Sequence, residues 1–164
     1  MSNMHPPRES ARNPVVSPRI AVAEDAATLA GFNRAMALET ESKSLPMETL
    51  LPGVEAVLRD PDHGFYVVAD RGSEIAGSLL VTFEWSDWRN GRRWWIQSVY
   101  VRPDYRRRGI YRTLHGFVRE RARAAGDVVG IRLYVERENV TAQRTYAALG
   151  MTETPYRVYE ETLP

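Results

Sequence analysis

The sequence predicts a mixed α/β domain, a largely antiparallel sheet flanked by helices. Three observations carry that. The 164 residues are 43% hydrophobic, enough for one domain with a full core. Apolar residues recur at helical spacing in four stretches, with short β-prone runs between them. The elements follow the order β, α, α, three antiparallel strands, then α, β, α, β.

Residues 1–18, with Pro6, Pro7, Pro14 and Pro18 among polar residues, read as a flexible tail, leaving 19–164 as the domain. Residues 19–23 are a strand. Asp25 caps a helix running to about Glu41, with Leu29, Phe32 and Leu38 near helical spacing. A second helix, 47–59, carries Leu50, Leu51, Val54, Val57 and Leu58, and Pro52-Gly53 should kink or split it. Residues 65–69 and 75–85 are strands, joined at Arg71-Gly72-Ser73.

Asn90-Gly91, between two aromatic runs, predicts a two-residue hairpin turn. That register places Glu84 opposite Gln97 and Trp85 opposite Ile96 on a returning strand, 94–101. Residues 111–125 are a helix with Leu114, Val118, Ala122 and Ala125 on one face, stopped by Gly126. A strand at 131–135 follows. Asn139 then N-caps a helix at 140–149, which Gly150 stops. Residues 157–163 are the last strand. In such a domain the chemistry should lie where strands end and helices begin.

Composition excludes several classes. A formal net charge of +1 argues against a non-specific nucleic-acid binder. With no cysteine there is no disulfide, thiolate metal site or cysteine nucleophile, which fits a cytoplasmic setting. His5, His63 and His115 stand in a tail, a loop and a helix without metal-ligand spacing, so no metal site is indicated. No apolar run approaches the roughly 18–20 residues that span a bilayer, and the N-terminus lacks a signal-peptide core, so no membrane partner is expected. Trp85, Trp88, Trp94 and Trp95 surround the hairpin, in the core or lining an acceptor groove or a homodimer contact.

Against that near-neutral background, five arginines stand within eleven positions: Arg102, Arg106, Arg107, Arg108 and Arg112. They occupy a strand-to-helix corner. A helix that starts there points unpaired N–H groups and a partial positive charge outward, and Gly109 lets a ligand approach the backbone. These are the requirements of a phosphate cradle. No G-x-x-x-x-G-K-[ST] pattern is present, so a nucleoside-triphosphatase loop does not fit.

This corner resembles the acetyl-CoA site of the GNAT superfamily of N-acetyltransferases, whose signature is [QR]-x-x-G-x-[GA]. Arg106-Arg107-Arg108-Gly109-Ile110-Tyr111 matches at the first and fourth positions and departs at the sixth, where Tyr111 replaces glycine or alanine. Downstream, ENVTAQRTYAALGM is similar to the closing motif N-x-x-A-x-x-x-Y-x-x-x-G-[FM], through Asn139, Ala142, Tyr146, Gly150 and Met151.

The resemblance implies transfer of an acetyl group from acetyl-CoA, as co-substrate, to a primary amine of a small molecule or protein, by direct attack in a ternary complex. It implies that Val99, Tyr100 and Val101 pair with the pantetheine arm. Arg106, Arg107, Arg108, Gly109, Ile110, Tyr111 and Arg112 would hold the pyrophosphate, and Asn139 would contact the cofactor amide. Tyr146 would be the general acid for the leaving thiolate. The strand 94–101 offers no acidic base; Glu84 is one candidate, Glu39 and Glu41 or a water chain the others. The other class left open is a non-catalytic acyl-CoA-binding sensor or scaffold of the same fold.

Overall fold

The computed structural model describes residues 15–163. The expected tail therefore lies mostly outside the described residues, as does His5. The chain divides into two compact units, Met1–Leu133 and Tyr134–Pro164.

The first unit is a five-stranded sheet in the order β1-β2-β3-β4-β5. Its strands are β1 (Ser17–Ile20), β2 (Phe65–Asp70), β3 (Ile75–Ser86), β4 (Gly91–Val101) and β5 (Val128–Leu133). All neighbours are antiparallel except β4 and β5, which are parallel. The helices are α1 (Ala26–Glu41), α2 (Met47–Arg59) and α3 (Ile110–Ala125).

Strand β2 shows why the sheet needs helices on both faces. Its alternation sends Val67 and Ala69 toward α3, where they pack with Ile110, Leu114, Val118 and Ala122. Tyr66 and Val68 point the other way, against Leu29 and Ala30 of α1 and Val54 of α2. A strand buried on both faces reads as a continuous apolar run, as FYVVA does.

Several boundaries differ from expectation for identifiable reasons. Strand β1 begins at Ser17, inside the expected tail, because Arg19 reaches both Asp70 (2.5 Å) on the neighbouring strand and Asp25 (2.7 Å). Asp25 accordingly does not cap α1. It accepts from Arg19 and from the Val22 N–H at 2.8 Å, closing a short 3-10 turn. Helix α2 continues through Pro52 without a split. Strand β5 starts at Val128, earlier than expected, because Asp127 clamps the start of β4: Arg92 donates to its carboxylate at 2.7 Å and its backbone carbonyl accepts from the Arg92 N–H at 2.8 Å.

The hairpin register is the largest correction. The turn is not the Asn90-Gly91 pair but a 3-10 turn, Asp87–Arg89, followed by Asn90 in the left-handed region at φ 47°. Asp87 Oδ1 accepts from the Trp88 N–H at 2.8 Å and seeds this turn. Gly91 is already strand, opposite Ser86. A Cβ there would sit 2.5 Å from Val129 and 2.7 Å from the Asp127 carbonyl, so this glycine serves close approach of β5 rather than the turn. Glu84 consequently faces Arg93, Trp85 faces Arg92, and Gln97 pairs with Leu80. Of the four tryptophans, Trp94 enters the core against Phe65 and Phe83, whereas Trp85 and Trp88 are exposed.

The second unit holds α4 (Val140–Ala148). Asn139 caps it as expected: its side-chain oxygen accepts from the Ala142 N–H at 3.1 Å. Gly150, at φ 85°, ends the run, and the Met151 N–H closes back on the Tyr146 carbonyl at 3.1 Å. The expected strand at 157–163 is not formed among the described residues.

Candidate functional site

The site begins in the middle of β4. Ser78 pairs with Tyr100 and Leu80 with Gln97, so two β4 residues, Ser98 and Val99, stand opposite Leu79 alone. This is a β-bulge, and Ser98 absorbs it at φ 49°. Side-chain direction reverses there. Trp94 and Ile96 face the α3 core before the bulge; Val99 and Val101 pack on that core after it. Tyr100 is thereby turned toward α1, its ring 4.9 Å from that of Phe32. On the other edge of β4, the parallel ladder with β5 stops at Ile96 and Leu133. Among the described residues, Gln97, Ser98, Val99, Tyr100 and Val101 therefore have no strand partner on that edge. Backbone N–H and C=O groups along it are available to an extended ligand.

Beyond Val101 the chain makes a 3-10 turn, Pro103–Tyr105, and reaches the N-terminus of α3. Arg107 (φ 62°) and Gly109 (φ 78°) are both left-handed, which curls the backbone in front of that helix. The N–H groups of Ile110, Tyr111 and Arg112 have no carbonyl one turn back within the helix. A Cβ at Gly109 would meet nothing within 4 Å. Open space thus lies in front of a helix N-terminus, where an anion is favoured.

The arginines divide their work. Arg106 donates to the Val101 carbonyl (2.9 Å) and to Glu39 (2.6 Å), and lies over the Tyr100 ring. Glu39, at the end of α1, also accepts from the Tyr100 hydroxyl at 3.3 Å. Arg106 therefore ties the turn to α1, and its guanidinium is already engaged. Arg102 is held by Glu74 at 2.7 Å and Asp104 at 3.2 Å, while Tyr105 donates a second hydrogen bond to Glu74. That phenol and Arg102 hold the Glu74 carboxyl below its ordinary range. Arg107, Arg108 and Arg112 are exposed, Arg108 with its guanidinium 5.8 Å from the centre of the Tyr105 ring.

Tyr111 does not obstruct the cradle. Its half-buried side chain packs on the α3 core, with its ring 5.8 Å from that of His115. Its backbone N–H stays at the helix start. His115 is buried, and burial, with Arg119 adding to it, lowers its pKa so that the imidazole is neutral.

Glu84 does not join this site. It lies four residues beyond Leu80, the partner of Gln97, or about 13 Å along β3. Its carboxylate accepts from the Trp95 indole N–H at 2.6 Å and faces Arg132 at 3.4 Å. The carboxylate that the fold does bring beside Tyr100 is Glu39. Asn139 and Tyr146 belong to the second unit. In α4, Tyr146 is half-buried and burial pushes its phenol pKa up. Among the described residues no three of His, Asp and Glu cluster as a metal ion would need, and no helix is long and apolar enough to cross a membrane.

A bulged strand whose free edge runs into an open, glycine-led helix start suits an acyl-CoA: an extended amide-bearing arm ending in a pyrophosphate. The model of the acetyltransferase (GNAT) family matches residues 32–151, spanning both the strand and the turn. The chain belongs to the GNAT acetyltransferase family.

It is an acyltransferase, of a family that generally draws its acyl group from acyl-CoA. A structure of a possible acetyltransferase from Clostridium difficile 630 is 42% identical, with 92% of this chain and 99% of that one covered at a TM-score of 0.85. Two more distant structures share the fold. One is a ribosomal-protein-alanine N-acetyltransferase from Brucella melitensis biovar Abortus 2308, 16% identical, with 91% of this chain and 99% of that one covered at a TM-score of 0.73. The other is an aminoglycoside acetyltransferase from an uncultured soil metagenomic sample, 14% identical, with 92% and 97% covered at 0.73. Among curated proteins none matches the sequence. The residues present fit an acyl-CoA: open space in front of Gly109, unpaired helix N–H groups and three exposed arginines answer a pyrophosphate.

Proposed function

We propose that this GNAT protein is an acetyl-CoA-dependent N-acetyltransferase that moves an acetyl group to a primary amine by direct attack. The observation that carries the reading is the bulge at Ser98 beside the unpaired β4 edge, continuous with the turn at Gly109.

Acetyl-CoA supplies an activated acyl thioester. The backbone of Val99, Tyr100 and Val101 would fix its arm by strand-like hydrogen bonds. The N–H groups at Gly109, Ile110, Tyr111 and Arg112, with the side chains of Arg107, Arg108 and Arg112, would hold the pyrophosphate. Arg106 contributes by position, bracing the turn against Glu39. Asn139 would contact the cofactor amide besides capping α4.

Tyr146 is the proposed general acid. Attack by the neutral amine expels a thiolate, and a phenol with a raised pKa keeps its proton at neutral pH until the leaving sulfur takes it. Glu84 stands opposite Arg93 rather than Gln97, and its carboxylate is engaged by Trp95 and Arg132, which speaks against it as the base. Glu39 and Glu41 stand at the end of α1, and with a water path they remain the candidates for accepting the amine's proton. Their charge suits a cationic acceptor.

Release of free CoA, followed with acetyl-CoA and a panel of polyamines, aminoglycosides, amino-acid amines and peptide N-termini, tests the reading. Amine-dependent release above the hydrolytic background is expected. Tight CoA binding with no release on any amine would overturn it in favour of an acyl-CoA sensor.

A further inference from the structure

The face of the sheet turned toward α1 changes character along its length. Tyr66, Val68 and Leu80 pack with α1 and α2 in an apolar cluster. Beyond Leu80 the same face carries Thr82 and Glu84 on β3, Arg93, Trp95 and Gln97 on β4, and Arg132 on β5, by the alternation of each strand. All six are half-buried. A polar strip therefore starts at Gln97, beside the bulge at Ser98, and runs about 13 Å back along β4 to Arg93. All of it lies within the first unit.

The two ends of the strip differ in chemistry. At the bulge, the Gln97 amide N–H donates to Thr82 Oγ1 at 2.5 Å, which turns the amide carbonyl oxygen away from Thr82 as an acceptor for an amine N–H. At the far end stand two guanidiniums. Arg132 lies over the Trp95 ring, 5.6 Å from its centre, and reaches Glu84 at 3.4 Å. Glu84 is fixed in turn by the Trp95 indole N–H at 2.6 Å. Arg93 is seated over Gly130, its partner on β5: a Cβ on that glycine would come 3.2 Å from Arg93 Nη1.

Among the described residues of the first unit, Glu84 is the carboxylate hydrogen-bonded into this strip, so two guanidiniums face one carboxylate. The surplus of one positive charge answers a monoanionic carboxylate better than a dianionic phosphate. The Trp95 ring and the seat over Gly130 hold both guanidiniums in place, so little freedom is lost when an anion binds. A second ammonium, as in a polyamine, would be repelled there. We propose that the acceptor is an amine carrying a carboxylate, its nitrogen at Gln97 and its carboxylate held by Arg93 and Arg132 roughly 7–13 Å away. This names the acceptor class for the acetyl transfer proposed above and rests on that reading.

The test compares 6-aminohexanoate and 8-aminooctanoate with the alkylamines and diamines of matching length, by CoA release and, with CoA present, by calorimetry. The aminoalkanoates should exceed the alkylamines about 10-fold or more in kcat/KM and affinity, with the diamines lowest. Arg93→Gln should cut that preference by about 10-fold. Gly130→Val, which fills the seat of the guanidinium, should cut it in the same direction, and Arg93→Lys should retain part of it. An alkylamine or diamine preferred over the matched aminoalkanoate would overturn the proposal, as would a preference that Arg93→Gln leaves intact. If no amine releases CoA but the aminoalkanoates bind and Arg93→Gln weakens them, the carboxylate subsite stands and acetyl transfer falls. If alkylamines are acetylated and aminoalkanoates are not, transfer stands and the subsite falls. Neither release nor binding with any of them would overturn both.

Discussion

At residue 98 the chain enters the left-handed region, and every β4 side chain after it changes face. The sequence carries this in plain view. Trp94 and Ile96 are apolar on even positions, Val99 and Val101 on odd ones, and the polar pair Gln97-Ser98 marks the switch. Reading the run as a single strand misses it, because a bulge is invisible unless the parity of the apolar positions is followed through. The cap at Asn139 was legible in the sequence and formed as its residue type dictates. Replacing Tyr146 by Phe removes only the phenolic proton donor. Turnover should fall by about 10²–10⁴-fold while acetyl-CoA affinity, read by calorimetry, stays within about 2-fold; near-normal turnover would remove its role as the acid. Glu84→Gln should leave the pH–rate profile unchanged, since that carboxylate is spent on Trp95 and Arg132. A lost basic limb would restore Glu84 as a base.

Among the elements, the helices followed from apolar spacing, whereas the hairpin register did not. Asn-Gly is a strong turn signal, but Asp87 starts the turn earlier and leaves Gly91 to admit β5. That competition between two local signals is settled by β5, which starts only at Val128. The link between α1 and the cofactor turn is equally non-local: Glu39 meets Arg106 across 67 positions. An exposed pair of this kind contributes about 0–1 kcal/mol. Glu39→Gln should therefore leave thermal stability nearly unchanged yet raise the acyl-CoA Kd by up to about 5-fold, through a looser turn. An unchanged Kd together with an unchanged melting curve would show that the brace has no part in binding.

Over the whole molecule, charge is placed so that acid weakens the fold. Arg19 holds Asp25 and Asp70 below the usual carboxylate range, and Arg92 does the same for Asp127. The unfolded chain binds these protons more tightly, so their stabilisation is present above about pH 4 and lost as pH falls through the folded values. Burial lowers His115 as well, so its neutral form is stabilised and stability declines as pH drops below about 6.5. Urea unfolding from pH 3 to 8 should show stability rising with pH. Asp25→Asn should flatten the acid limb and His115→Gln the slope between about pH 5 and 7. A flat profile in the unaltered chain would contradict both assignments. The sequence by itself determined the order of elements from β1 to α4 and the family, because helix periodicity, caps and a glycine at a helix start are local properties. Only the tertiary structure decided the hairpin register, the bulge and which arginines are tied to distant carboxylates, because each depends on partners distant in the chain.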